Sequence, residues 1–166
     1  KLDGNDELKK LVMDVLESSG IQVNAIVDSS RPTTNKNTFI SSGYRLLKVD
    51  TLDNRPVSED IQDKLVSFIK NSKAEAQIFS DFRHGIFNAL SIKSLSESIP
   101  TKSFKVADSQ VASRWGNITE FKNFDLITPN ERETRFALAD QDSTVGKSAA
   151  LLQLSLIHIS EPTRPR

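Results

Sequence analysis

Asn130 and Glu133 stand three residues apart, directly behind the apolar run Leu126-Ile127-Thr128-Pro129. If Asp125 to Thr128 is a strand and Glu131 opens a helix, an amide oxygen and a carboxylate share one face of the first helical turn. Open α/β sheets place their ligands at such strand ends. Carboxylates there hold a bare phosphate poorly, but they can hold a hydrated divalent cation that in turn holds a phosphate. The same residues equally suit a capped helix on an α/β domain that binds no nucleotide.

Other residues offer chemistry of the same kind. Asp81, in Phe79-Ser80-Asp81-Phe82, and Asp108, in Val106-Ala107-Asp108, each follow a short apolar run. Carboxylates so placed point into the crevice of an open sheet or cap the turn that follows. Arg83 and His84 share the turn after Asp81. His84 has no serine or cysteine nucleophile visibly paired with it and reads as a surface histidine, while Trp115 reads as a packing residue. Lys36, Arg45, Lys48 and Asp50 lie on two alternating segments. Alternation puts Lys36 and Thr38 on one face and Asn37 and Phe39 on the other. These charges suit cationic contact with a phosphate or a solvated, charge-protected edge strand. Val145-Gly146-Lys147-Ser148 is not a phosphate-binding loop, because Gln141 stands where that pattern needs a glycine.

The elements that carry these residues follow from periodicity. Leu8, Leu11, Val12, Val15 and Leu16 predict a helix, capped by Asn5 and stopped by Gly20. Ile21 to Asp28 alternates as a strand. Thr34 to Ser41 and Arg45 to Thr51 form a hairpin around Ser42-Gly43. Ser58 caps a helix whose face is Ile61, Leu65, Phe68 and Ile69. Strands follow at Ala76 to Ser80, Phe104 to Ala107 and Leu126-Ile127, with helices over Ile86 to Ile99 and Glu131 to Ala139. Ile118 to Phe124 is irregular or a short helix. Short apolar strands separated by amphipathic helices predict a parallel sheet with helices on its faces.

The chain has 166 residues, with 22 Lys and Arg against 22 Asp and Glu. This length suits one domain, and balanced charge gives no electrostatic reason for a nucleic-acid partner. The absence of cysteine excludes disulfides, thiolate nucleophiles and Cys-based zinc sites and fits a reducing cytoplasm. The longest apolar-rich run, Ala149 to Ile159, is too short to cross a bilayer, so no membrane partner is expected.

Four segments in the same order carry a resemblance to the ribokinase/PfkB family of carbohydrate kinases: Lys36 to Thr51, Phe79 to Gly85, Val106 to Gln110, and Asn130-x-x-Glu133. They look most like the branch that phosphorylates heptose phosphate in lipopolysaccharide precursor synthesis, and the likeness covers roughly Gly4 to Gly146. It implies an α/β ribokinase-like parallel sheet with a β-hairpin lid over the sugar, and transfer of the γ-phosphoryl group of ATP to a sugar phosphate, most plausibly heptose 7-phosphate. Another sugar or nucleoside kinase, or a non-catalytic sugar-binding module on the same fold, remains the alternative. The resemblance implies that Asn130 and Glu133 serve Mg2+ through water, that these two and Asp108 serve the nucleotide, and that Lys36, Asp50 and Asp81 serve the sugar phosphate. It also implies a cytoplasmic enzyme and a homodimer formed through the lid.

The chain departs from that pattern in places. Ser109 and Gln110 stand where the family has Pro and Lys, which removes a cation that could meet a phosphate. Neither the early Gly-Gly-x-x-Asn segment nor the late Gly-Ala-Gly-Asp segment with its general base occurs, so no catalytic residue is assigned and this chain alone is expected to be inactive. Leu154 to Arg164 resembles translated sequencing-adapter DNA; the alternative is a short amphipathic helix, Ala149 to Ile159, with a Pro-rich tail. The expected organisation is therefore a partial kinase domain over 1–153, cut at both ends, and a non-native tail over 154–166.

Overall fold

A computed structural model gives the fold over residues 2–3, 7–82, 84–109 and 118–156. Asn5, Arg83 and Trp115, singled out above, lie outside these residues, as do most of the tail residues, 157–166. The chain divides into two units, Lys1–Leu65 and Val66–Arg166.

In the first unit, helix α1 (Glu7–Ser18) ends where expected. Gly20 takes φ 76°, and the N–H groups of Gly20 and Ile21 donate back to the carbonyls of Glu17 and Leu16 at 2.9 and 3.1 Å. The strand expected over Ile21 to Asp28 contracts to β2 (Ile26–Val27), which pairs in parallel with β1 (Leu2–Asp3). Alternation supplies a face, but a strand also needs a neighbour, and residues 21–25 have no ladder partner among the described residues. Strands β3 (Asn35–Ser41) and β4 (Tyr44–Thr51) form the predicted antiparallel hairpin. Its two-residue turn places Ser42 at φ 48° and Gly43 at φ 81°, the paired positive values that match the twist of the flanking strands. The hairpin is exposed on both faces from Lys36 to Thr51. Helix α2 (Glu59–Lys70), which begins in this unit and runs past its end at Leu65, starts at Ser58, whose hydroxyl accepts from the Ile61 N–H at 3.4 Å.

The second unit holds a parallel sheet in the order β5 (Ala76–Asp81), β6 (Phe104–Ser109), β7 (Leu126–Ile127). Phe79 and Ala107 are register partners on its buried face, whereas Ile78 and Leu126 are 68% and 47% exposed. Against the buried face Phe79, Phe87, Phe121 and Phe124 form a cluster with ring centroids 5.2 to 6.5 Å apart. Such pairs add about 0.5–1.5 kcal/mol each beyond burial.

Helix α3 (Ala89–Glu97) is shorter than its periodicity suggested. Asn88 accepts from the N–H groups of Leu90 and Ser91, both at 3.0 Å, and the Ser91 hydroxyl accepts from the Asn88 N–H at 2.9 Å. This reciprocal cap fixes the start, so Ile86 and Phe87 belong to the approach. After a 3-10 turn (Ile118–Glu120) and β7 come α4 (Glu131–Leu138) and α5 (Val145–Leu156). Helix α5 overlaps the amphipathic helix that is the alternative for Ala149 to Ile159, but begins four residues earlier, at Val145. Ser148, Leu152 and Leu156, at four-residue spacing, are all buried and form its inward stripe. The boundary expected at Leu154 falls inside this helix. The Asn123 N–H donates to the Leu156 carbonyl at 3.3 Å and Leu156 is buried, so Leu156 packs with the unit, whereas Leu154 is exposed.

Candidate functional site

Parallel register carries Asp81, Asp108 and Thr128 to one end of the second unit's sheet. Ser80 pairs with Asp108, Asp81 with Ser109, and Ala107 with Ile127. Both carboxylates therefore fall at the carboxyl end of the sheet. They do not share a face. Asp108 lies opposite Ser80, and strand alternation puts Asp81 on the other side. Asp81 is 2% exposed, on the side of Phe79. Asp108 is half-buried, and its Oδ1 accepts the Thr128 hydroxyl at 2.9 Å. That bond ties the end of β6 to the segment that leads into α4. Thr128 went unnoticed in the sequence reading, although a hydroxyl between an apolar strand and a proline was a usable signal. His84 is half-buried rather than fully exposed.

Asn130 is the N-cap of α4, with φ −77° and ψ 171°. Its Oδ1 accepts from the Glu133 N–H at 3.0 Å, and Glu133 Oε2 accepts from the Asn130 N–H at 2.9 Å. The two residues form a reciprocal capping box. One oxygen of each is thus engaged in holding the helix start, while Glu133 Oε1 is left for other contacts. Glu131 adds a second carboxylate to the same turn and pairs with Arg135 at 2.8 Å. Arg135 also donates to the carbonyls of Gln141 and Ser143, at 3.2 and 2.9 Å. In that loop the Ser143 hydroxyl, then its N–H, hold the Asp140 carboxyl below its ordinary range.

No group of three or more His, Asp or Glu residues converges as a metal cage among the described residues. One free carboxylate oxygen at a capped helix start fits a Mg2+ that keeps most of its water, since this ion is commonly held through one or two carboxylates and the substrate phosphates. It does not fit a dehydrated ion held by protein alone.

Lys36 and Asp50 lie in the first unit and are direct cross-strand partners, as are Thr38 and Lys48. Lys36, Thr38, Lys48 and Asp50 therefore share a hairpin face, with Lys48 Nζ 3.5 Å from Asp50 Oδ2. Val145 to Ser148 form the first turn of α5 rather than a phosphate loop. A cleft of about 550 Å³ lies among β7, α4 and α5, lined by Leu126, Pro129, Val145 and Leu152 among others. Asp81, Asp108, Asn130 and Glu133 do not line it, but Glu131, in the same helical turn as Glu133, does.

With this arrangement in view, the fold is that of ribokinase-like α/β kinases. Phosphofructokinase-2 of Escherichia coli superposes with a TM-score of 0.69 at 14% identity, over 93% of this chain and 51% of that one. The same enzyme has been solved in complex with fructose-6-phosphate. Ribokinase of Arabidopsis thaliana, complexed with ribose and ATP, superposes with a TM-score of 0.63 at 16% identity, over 94% of this chain and 51% of that one. In sequence the chain's relatives are bifunctional HldE proteins. That of Helicobacter hepaticus is 28% identical over an alignment that covers 95% of this chain and 35% of the relative. The chain spans about a third of the length of the curated relatives it matches. No protein-family profile matches it. No helix among the described residues is long and apolar enough to cross a membrane.

Proposed function

We propose that the chain is part of an ATP-dependent sugar kinase that transfers the γ-phosphoryl group to a hydroxyl of a sugar phosphate, heptose 7-phosphate being the substrate that the collinear segments suggest. The observation that carries this reading is the carboxyl edge of the sheet, where Asp108 is bonded to Thr128 and the capped start of α4 follows β7. Glu133, through its second oxygen and water, and Asn130 would hold Mg2+, which neutralises charge on the transferring phosphates when bound. Asp108 would face the nucleotide. Asp81, Lys36 and Asp50 would serve the sugar phosphate, with the hairpin as its lid. We assign residues 1–153 to the kinase domain and 154–166 to a non-native tail, whose Leu156 nonetheless packs as the last buried residue of α5. The parent enzyme would work in the cytoplasm, in lipopolysaccharide precursor synthesis.

The hairpin also supports a homodimer of the parent. Phe39, Leu47 and Val49, on one face, are 55%, 55% and 43% exposed, an apolar surface that a second copy would cover.

The test is to express the complete reading frame that contains this chain and to follow Mg·ATP-dependent phosphorylation of heptose 7-phosphate, fructose 6-phosphate and ribose. Turnover highest with heptose 7-phosphate is expected. Turnover with ribose alone would replace the sugar assignment, and no turnover with any of them would remove the kinase reading.

A further inference from the structure

We infer that Arg31 is a positioning residue that sets the angle of the β3–β4 hairpin and so places Lys36 and Asp50. The inference rests on the lid reading for its consequence, but on geometry within Lys1–Leu65 for its mechanism.

Both feet of the hairpin are short turns built on an aspartate. Before β3, Asp28 Oδ1 accepts the Ser30 N–H at 3.0 Å and the Ser30 hydroxyl at 2.6 Å. After β4, Asp53 Oδ1 accepts the Arg55 N–H at 2.9 Å, and the Arg55 side chain returns to the Asp53 carboxylate at 2.6 Å. Arg31 joins the two feet. Its Nε donates to Asp28 Oδ2 at 2.7 Å, its Nη1 to the Arg55 carbonyl at 3.3 Å and its Nη2 to the Pro56 carbonyl at 3.4 Å. The Arg31 side chain is only 6% exposed and that of Asp28 11%. A planar guanidinium can serve one carboxylate and two carbonyls in fixed directions, whereas an ammonium acts as a point charge.

This clamp matters because apolar packing does not hold the hairpin. Both of its faces are exposed. At about 3.4 Å per residue, an eight-residue strand is an arm of roughly 27 Å, so a small rotation at the base moves the tip far. Lys36 and Asp50 sit near the base, paired across the ladder, and take their position from the clamp.

The chain has no native cysteine, which makes site-specific labelling clean. Nitroxides on Ser42→Cys, at the turn, and Asp63→Cys, on the exposed side of α2, report the hairpin angle by pulsed electron spin resonance. The unaltered clamp should give one narrow distance distribution. Arg31→Ala should lose the narrow peak while far-ultraviolet circular dichroism stays unchanged. Arg31→Lys should lose it as well, since one ammonium on Asp28 cannot reach both carbonyls. A wild-type width in Arg31→Ala overturns the inference. So does a wild-type width in Arg31→Lys, which alone decides the matter if the alanine variant does not fold. Titration of the same proteins with heptose 7-phosphate separates the clamp from the lid. A broadened hairpin with unchanged sugar-phosphate binding keeps the clamp and removes the substrate role; a broadened hairpin with weakened binding supports both.

Discussion

Two regions of this chain are held by different physics. In Val66–Arg166, apolar burial organises the sheet and helices: Phe79, Ile92, Leu95, Ala107, Ile118 and Phe121 are each 6% exposed or less. In Lys1–Leu65, among the described residues, only Val57 and Ile61 are buried apolar side chains, and Arg31 and Thr33 are buried polar ones. The hairpin there is maintained by its backbone ladder and by charge at its feet. A region held by burial keeps Asp81 and Asp108 at fixed positions on the sheet's carboxyl edge. A region held by a ladder and a clamp keeps its two strands paired by backbone bonds and depends on a few charged contacts at its base for its angle.

The contrast predicts effects of very different size. Phe121→Ala removes a fully buried ring that meets Phe79, Phe87 and Phe124, and should cost about 3–5 kcal/mol in denaturant unfolding. A smaller cost would mean that the second unit is not governed by its aromatic cluster. Leu156→Ala should cost about 2 kcal/mol, because this residue closes the inward stripe of α5. Deleting 157–166 should leave the unfolding midpoint where it is. If that deletion destabilises the chain as much as Leu156→Ala, the tail is part of the fold.

Asn130→Ala should cost about 1 kcal/mol through loss of the cap. Glu133→Gln should cost little, since an amide also completes a capping box. The pair separates cap from metal site. In the complete enzyme Glu133→Gln should shift the Mg2+ dependence of turnover with stability intact, and Lys36→Ala should instead raise KM for the sugar phosphate. An unshifted Mg2+ dependence in Glu133→Gln would leave the residue with its structural role only.

The smallest effects belong to the first unit. Leu47→Ser, on the exposed hairpin, should change stability by less than about 0.5 kcal/mol. A larger loss would show that the hairpin is covered in solution, and a concentration-dependent loss would point to a second copy. The Arg55 side chain pulls the Asp53 carboxyl down to about 2, and the Ser30 hydroxyl, ahead of its N–H and Arg31, lowers that of Asp28. Both are depressed, so their stabilisation is complete above the ordinary carboxylate value of 3.8 and is lost below it, that of Asp53 fading as pH falls toward 2. Asp53→Asn should flatten that acid dependence. Direct observation of the Asp53 carboxyl by nuclear magnetic resonance should show it titrating near 2, and a midpoint at 3.8 would break the ion pair.

Local chemistry was written in the sequence wherever a short segment satisfies itself. Ser42-Gly43 dictates its turn, Gly20 ends α1, and the spacing of Asn130 and Glu133 specifies a cap. The order of apolar runs gave the parallel sheet and brought Asp81 and Asp108 to its carboxyl edge. What depended on partners distant in sequence was not legible. Residues 21–25 alternate like a strand yet find no ladder among the described residues, and α5 becomes an element because Ser148, Leu152 and Leu156 have a surface to bury against. Only register put Asp81 and Asp108 on opposite faces, because a shift of one residue exchanges the sides of a strand. The Ser42-Gly43 turn reverses the chain, but only the tertiary fold decides that the Arg31 guanidinium meets the carbonyls of Arg55 and Pro56, since those contacts lie beyond the ladder that the turn sets.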